Sequence, residues 1–395
     1  MLNDRQLNQI DFPSDSWDEL DKDFQFVEDE DLPTMTYWQD VWRRFKQNKL
    51  SIMGVIIIFL ITIIAIFGPL ISPYTYSHQD LNYTAIPPLL NLWKIGNEDT
   101  YIYIHKSLRI YTSTVKGRLI EYIPLQKNDL INKKAIVVVN GEEITIDYNF
   151  KPFKVFTHTG KEISIFKKVY NKSFIFGTDD LGRDLLIRVI YGARISLIIG
   201  FVSSLVNLTV GILYGGISGY LGGNIDNFLM RVVDIMRSIP RLLYVIIFMV
   251  IFGSGMKTVA LTIGLVYWLN MARIVRGQVL SLKEHEFILA AKTIGAGTWR
   301  ILIRHLLPNA MGPILVVATM QIPNAIFTEA FLSFVGLGVS APQASWGTLC
   351  NDALAGIGTN PYQLFFPAMA ISITVLAFNF LGDGLRDSLD PRLRK

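Results

Sequence analysis

The sequence predicts an all-α polytopic membrane protein with six transmembrane helices and an extracytoplasmic β-rich insertion between helices 1 and 2. The first observation is composition: the 395 residues are 51% hydrophobic and only 18% charged, with a mean hydropathy of +0.35. Soluble domains carry more charge, so several membrane spans explain the apolar excess. The second observation is a series of long apolar stretches, and the third is a polar segment, residues 72–175, after the first of them.

The charge and the cysteine content exclude several classes of protein. The net charge is only +4, and the basic residues cluster at the ends of apolar stretches, which argues against nucleic-acid binding. Cys350 is the single cysteine, which excludes an internal disulfide and any cysteine-based zinc site. We expect Cys350 to be a buried small hydrophobic residue.

Residues 1–49 are predicted to form a cytoplasmic acidic tail and an interfacial helix. Residues 1–40 are polar and acidic, which is not the pattern of a signal peptide. Between Thr36 and Leu50, aromatic and aliphatic residues recur at helical spacing opposite basic ones. These residues are Tyr37, Trp38, Val41, Trp42 and Phe45. The pattern predicts an amphipathic helix on the inner leaflet, with contact to a partner subunit as the alternative.

Six apolar stretches predict the spans, since a helix needs roughly 20 apolar residues to cross hydrocarbon. Residues 50–71 form the first, and residues 176–395 contain the remaining five. The predicted spans are Leu50–Ile71, Ile195–Leu221, Ile239–Phe252 (continuing a helix that begins near Ile225), Val259–Ile274, Asn309–Leu332 and Phe365–Leu381.

The distribution of lysine and arginine predicts the orientation of these spans. Basic residues flank span 1 on its N-terminal side, lie between spans 2 and 3 and between spans 4 and 5, and follow span 6. These four segments lie on one side of the membrane if there are six spans. We therefore expect a multi-pass membrane protein with both termini in the cytoplasm.

The segment between spans 1 and 2 is too long to be a structureless loop, and it has the pattern of β structure. Asn140-Gly141 is a strong hairpin signal between Ala135–Val139 and Glu143–Tyr148. A second hairpin is predicted from Phe153–Phe156 and Ile163–Phe166. Residues 72–175 therefore form a β-rich insertion. It is either a cap over the mouth of the membrane part or a contact surface for a substrate-delivering protein.

Residues 284–308, between spans 4 and 5, form a polar cytoplasmic segment. Ala290 and Ala291 have minimal side chains, which lets another protein approach the helix backbone closely. Gly295 can adopt a positive φ and end that helix, and Thr298 can cap the next one. Pro308 is tolerated near the start of span 5 and resets its direction. The pattern fits either a docking device or an ordinary helix–turn–helix loop lying on the membrane.

The segment resembles the cytoplasmic coupling motif of ABC-transporter permeases. Five positions match that motif at its spacing: Ala290, Ala291, Gly295, Leu307 and Pro308. Two positions depart from it. Leu289 stands where the motif has glutamate, and His305 where it has isoleucine. Glu286 lies one helical turn before Leu289 and is a candidate to supply the missing charge.

Other parts of the chain resemble the C-type subunit of oligopeptide and dipeptide permeases. The similar stretches are Trp38–Lys49, Phe176–Asp184, Tyr191–Leu197, Ser238–Pro240, Leu332–Val339, Ser345–Gly347 and Leu381–Asp387. The resemblance implies a type I ABC importer permease fold. It also implies a second homologous permease subunit, two ABC ATPase subunits that bind ATP and Mg, and an extracytoplasmic peptide-binding lipoprotein. The cargo implied is a peptide, and the chain itself binds no cofactor.

The sequence supports this division of labour independently. The chain contains no Gly-x4-Gly-Lys-Ser/Thr loop, so it does not hydrolyse ATP by a P-loop and is not expected to be an enzyme. A bulky substitution, Ala291→Arg, is expected to abolish ATP-driven uptake without affecting membrane insertion. The alternatives are the same type of complex importing nickel or another small solute, an ATPase-independent channel or secondary transporter, and a non-transporting assembly factor.

Several residues within the predicted membrane part have two interpretations each. Gly211, Gly215, Gly219 and Gly223 recur every four residues, which indicates close helix packing inside the chain or at the seam with a second permease. A translocation path or gate, or structural pairing between helices, is predicted for Asn207, Asn324 and Glu329.

The stretch Gly177–Asp184 contains three aspartates. Metal binding would be one interpretation of them. We instead predict helix capping and pairing with Arg183, because the stretch precedes a helix that enters span 2.

Overall fold

A computed structural model describes residues 36–96, 100–253, 255–339 and 341–390. The predicted acidic tail and the last basic residues lie outside this part. The helices are α1 (Tyr37–Gln47), α2 (Lys49–Ile71), α3 (Leu185–Leu221), α4 (Gly223–Ser238), α5 (Arg241–Phe252), α6 (Met256–Leu282), α7 (Glu286–Thr293), α8 (Thr298–Ile301), α9 (Leu307–Phe334), α10 (Trp346–Ala353) and α11 (Tyr362–Leu389). A π-helical turn, Leu302–Leu306, joins α8 to α9.

The strands all lie between α2 and α3. They are β1 (Leu89–Ile95), β2 (Thr100–Ile104), β3 (Ile110–Ser113), β4 (Leu119–Ile123), β5 (Lys127–Asp129), β6 (Lys134–Val139), β7 (Glu142–Asp147), β8 (Lys154–Thr157), β9 (Glu162–Ile163) and β10 (Ile165–Tyr170). The prediction of a β-rich insertion at this place is therefore confirmed.

Five helical segments are long and apolar enough to cross a membrane, and the count reaches six if α4 and α5 form one bent span. The five are α2, α3, α6, the continuous helical stretch Thr298–Phe334, and α11. The chain is thus a multi-pass membrane protein. The first, fourth, fifth and sixth predicted spans each fall within one of these segments.

The predicted third span is wrong as a straight helix. Its two halves, α4 and α5, meet at an angle of 86°. Pro240 causes the break because it lacks an N–H and forces the preceding residue, Ile239, into an extended conformation (ψ 133°). The 12 residues of α5 are about 18 Å long, which is shorter than the hydrocarbon core.

The second predicted span begins too late in the sequence. Helix α3 starts at Leu185, ten residues before Ile195 and after the capping residue Asp184, whose Oδ1 accepts the Leu186 N–H at 3.0 Å. Two arginines in these first turns made the sequence too polar to be predicted as part of a span. Both have partners in the structure. Arg188 pairs with Asp179 at 2.5 Å, and Arg194 donates to the carbonyl oxygens of α2.

Helices α3 and α6 form the centre of the membrane part. Of the four glycines, Gly211, Gly215 and Gly219 face α6. A methyl group on Gly215 would lie only 2.2 Å from the Ala272 carbonyl oxygen. These three glycines therefore serve packing within the chain. Gly223 does not belong to the stripe, because α3 ends at Leu221 and Gly223 begins α4 with a φ of +54° and open space around it.

The amphipathic helix α1 lies against α9 and the C-terminal end of α11. Its apolar residues Val41 and Phe45 are buried, and Val41 packs with Val316 and Leu389. Trp38 and Trp42 remain 56% and 57% exposed on the other side. Such exposed tryptophans on a short helix beside membrane spans agree with an interfacial position.

The insertion consists of two antiparallel five-stranded sheets, in the orders β10-β1-β2-β3-β4 and β5-β6-β7-β8-β9. Their facing sides form one core, which includes Trp93 and Ile102 of the first sheet and Val137 and Ile146 of the second. The other face of the first sheet is covered by two segments, one before β1 that contains Ile86 and one after β10 that contains Phe174. The three central strands, β1, β2 and β3, are thus buried along most of their length, whereas β10 at the edge is mostly exposed.

The first predicted hairpin is confirmed, and the second is correct only in part. Strands β6 and β7 pair around Asn140-Gly141, both of which have positive φ as a type I′ turn requires. Strand β8 pairs with β9 for only two residues. After Ile163 the chain passes to the other sheet, where β10 pairs with five residues of β1. The long apolar strand β1 gains a partner along most of its length.

The insertion is fixed to the membrane part through the loop that precedes α3 and the start of α11. The Tyr362 hydroxyl and the Gln363 amide both donate to the Thr178 carbonyl oxygen, at 2.9 and 3.1 Å. The Lys106 ammonium donates to the Thr359 carbonyl oxygen at 2.7 Å. These contacts hold the insertion against the start of α11.

His105 lies at the base of the insertion and is nearly buried, with 7% of its surface exposed. Its Nε2 lies 3.0 Å from the Ala85 carbonyl oxygen, and its Nδ1 lies 2.7 Å from the Ser107 hydroxyl and 3.3 Å from the Ser107 N–H. A neutral ring satisfies all three, donating through Nε2 and accepting through Nδ1. Burial lowers the pKa of His105 to about 4.

We expect acid to loosen the insertion through His105. Because the unfolded ring takes up a proton near pH 6.5 and the folded ring does so only near pH 4, stability is full above about pH 6.5 and falls as the pH drops towards 4. The loss reaches about 2 kcal/mol at pH 5. Hydrogen exchange of residues 101–113 in the intact protein measures this.

The substitution His105→Gln should flatten the pH dependence, whereas His158→Gln, at an exposed position in the β8–β9 turn, should leave it unchanged. The quantity to compare is the protection factor, which is the exchange rate corrected for the intrinsic pH dependence of amide exchange. Protection factors that do not change between pH 7.5 and 5 in the unmodified protein would contradict this role for His105.

Candidate functional site

Helix α7 is the central element of the candidate site. It begins directly after α6, with only residues 283–285 between them, and spans Glu286–Thr293. Gly295 ends it with a φ of +80°, and the Ala296 N–H donates to the Ala291 carbonyl oxygen at 3.0 Å. The helix therefore ends at the predicted glycine, by the left-handed conformation that glycine adopts without strain.

The inner face of α7 is packed against its own chain. Ile288 is fully buried, and only 6% of Ala291 is exposed. Both belong to one apolar cluster with Val279 of α6 and with Ile301 and Leu306. Movement of α7 would therefore be transmitted directly to α6 and to the start of α9.

The outer face of α7 is apolar and open. Ala290 is exposed, and larger exposed residues surround it in the sequence: Phe287 (40%), Leu289 (51%) and Ile294 (86%). Trp299 and Ile303 continue this surface at 57% and 59% exposure. We call these six residues the outer apolar face. A contiguous exposed apolar surface of this kind is typical of a site of protein contact.

The two alanines therefore differ, contrary to the expectation that both are open to a partner. Only Ala290 faces outward. An arginine at Ala291 would have to enter the cluster around Ile288, so Ala291→Arg would disrupt α7 itself, and Ala290 is the better position for a test.

Leu289 lies on the outer face, at the position where the coupling motif has glutamate. Glu286 is exposed in the first turn of α7, one turn before Leu289, and its charge is favourable at a helix N-terminus. The candidate replacement for the missing carboxylate is therefore exposed, one turn from Leu289.

Two predictions about the segment after Gly295 are wrong in detail. Gly297, and not Thr298, is the N-cap residue of α8, and Thr298 makes no capping bond. Pro308 does not start a helix in a new direction, because Thr298–Phe334 is one continuous helical stretch. The π-helical turn just before Leu307 accommodates Pro308: the Leu307 N–H donates to the Leu302 carbonyl oxygen five residues back. The wider turn relieves the clash that a proline causes within an α-helix.

Two ion pairs join α4 to α6. They are Asp226 with Arg276 and Asp234 with Arg273. The Arg276 guanidinium binds both carboxylate oxygens of Asp226, at 2.6 and 2.5 Å. The Ser218 hydroxyl at the end of α3 donates to Asp226 as well. Because Asp226 is 94% buried, this pair fixes the ends of three helices together, while the Asp234–Arg273 pair is half exposed.

A second buried ionic cluster lies at the opposite end of α3. Asp179 accepts from Arg183 Nε at 2.6 Å and from Arg188 at 2.5 Å, and its other oxygen accepts two loop N–H groups. Asp184 caps α3, and burial raises its pKa to about 6. Capping and pairing with Arg183 account for Asp179 and Asp184, as predicted for this stretch.

The three polar residues proposed for a path do not share one surface. Asn207 is 1% exposed, and its Oδ1 accepts no hydrogen bond from the described residues. Asn324 is exposed on α9, whereas Glu329 of the same helix is fully buried. Glu329 accepts from the Ser333 hydroxyl at 2.7 Å and from the Ser345 hydroxyl. The Glu329 carboxyl thus links α9 to the start of α10. This is the structural pairing between helices that is the alternative to a role in a path or gate. Cys350 on α10 is half-buried and not fully buried.

The sequence analysis did not predict the two ion pairs between α4 and α6, and in the second cluster it predicted the pairing with Arg183 but not with Arg188. A signal existed in the spacing: Asp226 and Asp234 lie eight residues apart on one helix, and Arg273 and Arg276 lie three apart on another. Each pair occupies one helix face. What the spacing alone does not reveal is that the two faces meet.

Comparison with known proteins identifies the family to which the chain belongs. Residues 185–395 match the family described as the binding-protein-dependent transport system inner membrane component. Residues 36–88 match the N-terminal TM domain of oligopeptide transport permease C. The chain belongs to this permease family. Members of the family are transport components and not enzymes.

Two relatives from Bacillus subtilis match almost the whole permease, and one from Escherichia coli matches about half of it. The dipeptide transport system permease protein DppC of Bacillus subtilis (strain 168) is 37% identical over 99% of this chain and 98% of its own. The oligopeptide transport system permease protein OppC of the same strain is 40% identical over 92% of both chains. The OppC protein of Escherichia coli (strain K12) is 45% identical over 55% of this chain and 72% of its own. The similarity to the DppC protein of Bacillus subtilis therefore includes the insertion as well as the membrane core.

Among solved structures, the inward-facing MetNI methionine ABC transporter shares 22% identity with this permease over 52% of this chain and 96% of that one, at a TM-score of 0.41. That distance is too great for the likeness to support a conclusion about this permease.

Proposed function

We propose that this permease is the membrane-spanning subunit of an ATP-driven importer of oligopeptides or dipeptides. The outer apolar face of α7 is the observation that carries the proposal. It is an exposed surface on α7 and on the turns that follow it, anchored to α6 and α9 by Ile288 and Ala291, and open around Ala290. The printed names of the relatives, which are oligopeptide and dipeptide permeases, supply the class of cargo.

In this proposal each partner has a defined place. An ABC ATPase subunit that binds ATP and Mg receives α7, and a second ATPase receives the corresponding helix of a homologous permease subunit. An extracytoplasmic peptide-binding lipoprotein delivers the peptide. Both termini of this permease are cytoplasmic, the insertion is outside, and α4 and α5 together complete a six-span type I fold.

The mechanism follows from how α7 is connected. Closure of the ATPase pair would displace α7 as a rigid unit, because its inner face is packed into the apolar cluster with α6 and α9. The glycine contacts between α6 and α3 and the Asp226–Arg276 pair extend this unit to α3 and α4. The spans then move together between inward- and outward-facing states. The peptide is translocated without being chemically changed.

A cross-linking experiment tests the docking. In a Cys350→Ser background, Ala290→Cys should form a disulfide with cysteines introduced in the groove of the partner ATPase, and the yield should change when ATP is added. Thr258→Cys, near the start of α6 at the far end from α7, is the matched control and should form none. Equal yields at the two positions, or none at Ala290→Cys with any groove position, would contradict the proposal.

A further inference from the structure

A groove with a volume of about 450 Å³ lies between the ends of α2 and α3 that are next to the insertion. Its walls are formed mainly by aliphatic residues of these two helices. These are Ile64, Gly68, Ile71, Leu186, Ile187 and Ile190. The nearby end of α2 is very exposed, at 84% for Ile71 and 79% for Leu70. Two membrane-spanning helices thus leave an apolar recess where they reach the membrane surface.

The rim of the groove next to the insertion is polar and basic. Lys172 and Ser173 line it, and the Lys172 side chain is exposed. The Lys172 N–H donates to the Gly117 carbonyl oxygen at 2.9 Å, which places the β3–β4 turn, with the exposed cations Lys116 and Arg118, beside this rim. An apolar recess with cationic groups at one end matches an amphipathic molecule with an anionic head.

The groove also contains one carboxyl among the described residues that line it, Asp184. It is only 7% exposed, and its Oδ1 accepts the Leu186 N–H at the N-terminus of α3. The partial positive charge of that helix end opposes the carboxylate charge. The exposed charge at the rim is therefore cationic.

We propose that the groove binds a phospholipid, with one acyl chain between α2 and α3 and the phosphate at Lys172. The bilayer is the source of the ligand, because the recess is continuous with the lipid-facing surface of α2 and opens at its end. If a second protein subunit covered the groove with an apolar surface instead, Lys172 would be buried without an anionic partner. A buried unpaired charge is unfavourable. The site would fix the insertion at the membrane surface.

Native mass spectrometry of the full-length protein in detergent tests the site. Phosphatidylglycerol is the probe, and a diacylglycerol with the same chains is the uncharged comparison. We expect one phosphatidylglycerol to be retained under conditions that remove diacylglycerol. The substitution Lys172→Gln should weaken binding about five-fold, the contribution of one basic residue to an anionic lipid contact, and Lys161→Gln in the exposed β8–β9 turn should not.

A second variant tests the apolar part without changing the charge. Ile175 lines the groove and is 57% exposed, so Ile175→Trp should fill the recess and lower retention, while Ile131→Trp at a 93% exposed position should not. Equal retention of phosphatidylglycerol and diacylglycerol, or no effect of Lys172→Gln and Ile175→Trp, would overturn the proposal. So would displacement of the lipid by inorganic phosphate, or its loss when the whole transporter is purified. These outcomes are independent of whether the transporter carries peptides.

Discussion

Replacing Ala290 by arginine is expected to reduce ATP-driven peptide uptake at least ten-fold. Ala290 is exposed at the centre of the outer apolar face, where its small side chain lets a partner approach the α7 backbone. A long charged side chain there would separate the two surfaces, and forcing extra atoms into a packed contact costs about 1–3 kcal/mol or more. Uptake in proteoliposomes that contain the complete transporter measures the effect.

The control for this variant is Ala290→Ser, which keeps the side chain small and should keep most of the uptake. Membrane insertion and the amount of protein should be the same in both variants, because Ala290 is not part of the apolar cluster that anchors α7. Normal uptake by Ala290→Arg would show that α7 is not the docking helix.

Removing the Arg276 charge by Arg276→Met is expected to lower peptide uptake about ten-fold while ATP hydrolysis by the assembled transporter continues. Asp226 is 94% buried and would lose both bonds from the guanidinium. Each hydrogen bond to a charged group contributes about 1.5–3 kcal/mol to stability. Helix α4 would then no longer follow α6, so motion of α7 would not reach the bent third span.

Arg273→Met provides a matched control three residues away on the same helix. Its pair with Asp234 is 44% exposed on both sides, and exposed pairs contribute only about 0–1 kcal/mol. Little change is therefore expected. The exchange of charges, Asp226→Arg with Arg276→Asp, should restore part of the uptake but not all, because the Ser218 hydroxyl loses its acceptor. Equal defects in Arg276→Met and Arg273→Met would remove the special role of the buried pair.

Much of the membrane part could be predicted because each span is a local pattern. Leu50–Ile71 is uninterrupted and apolar, and the helix found there differs by one residue at its start. Asn140-Gly141 fixed the β6–β7 hairpin for a similar reason, since both residues adopt the positive φ that the turn requires. Gly295 ends α7 by the same local property.

The errors arose where distant contacts override a local pattern. Arg188 and Arg194 made the first turns of α3 resemble a loop, because their partners on other segments are not visible in the sequence. Ile165 and Phe166 continue the pattern of β9, yet they belong to β10, where Ile165 pairs with Trp93 of β1, more than 70 residues earlier. The difference between Ala290 and Ala291 depends on which side of α7 packs against α6. The local sequence of α7 does not reveal which side that is.

Reconstitution of ATP-driven peptide uptake tests the central claim most directly. Proteoliposomes would contain this permease, its partner permease and the two ATPases, with the binding protein added outside. We predict accumulation of peptide that needs ATP inside the vesicles and every subunit, and that stops when this permease is omitted. Uptake by this permease alone, without ATP or ATPases, would contradict the account and indicate a channel or a secondary transporter.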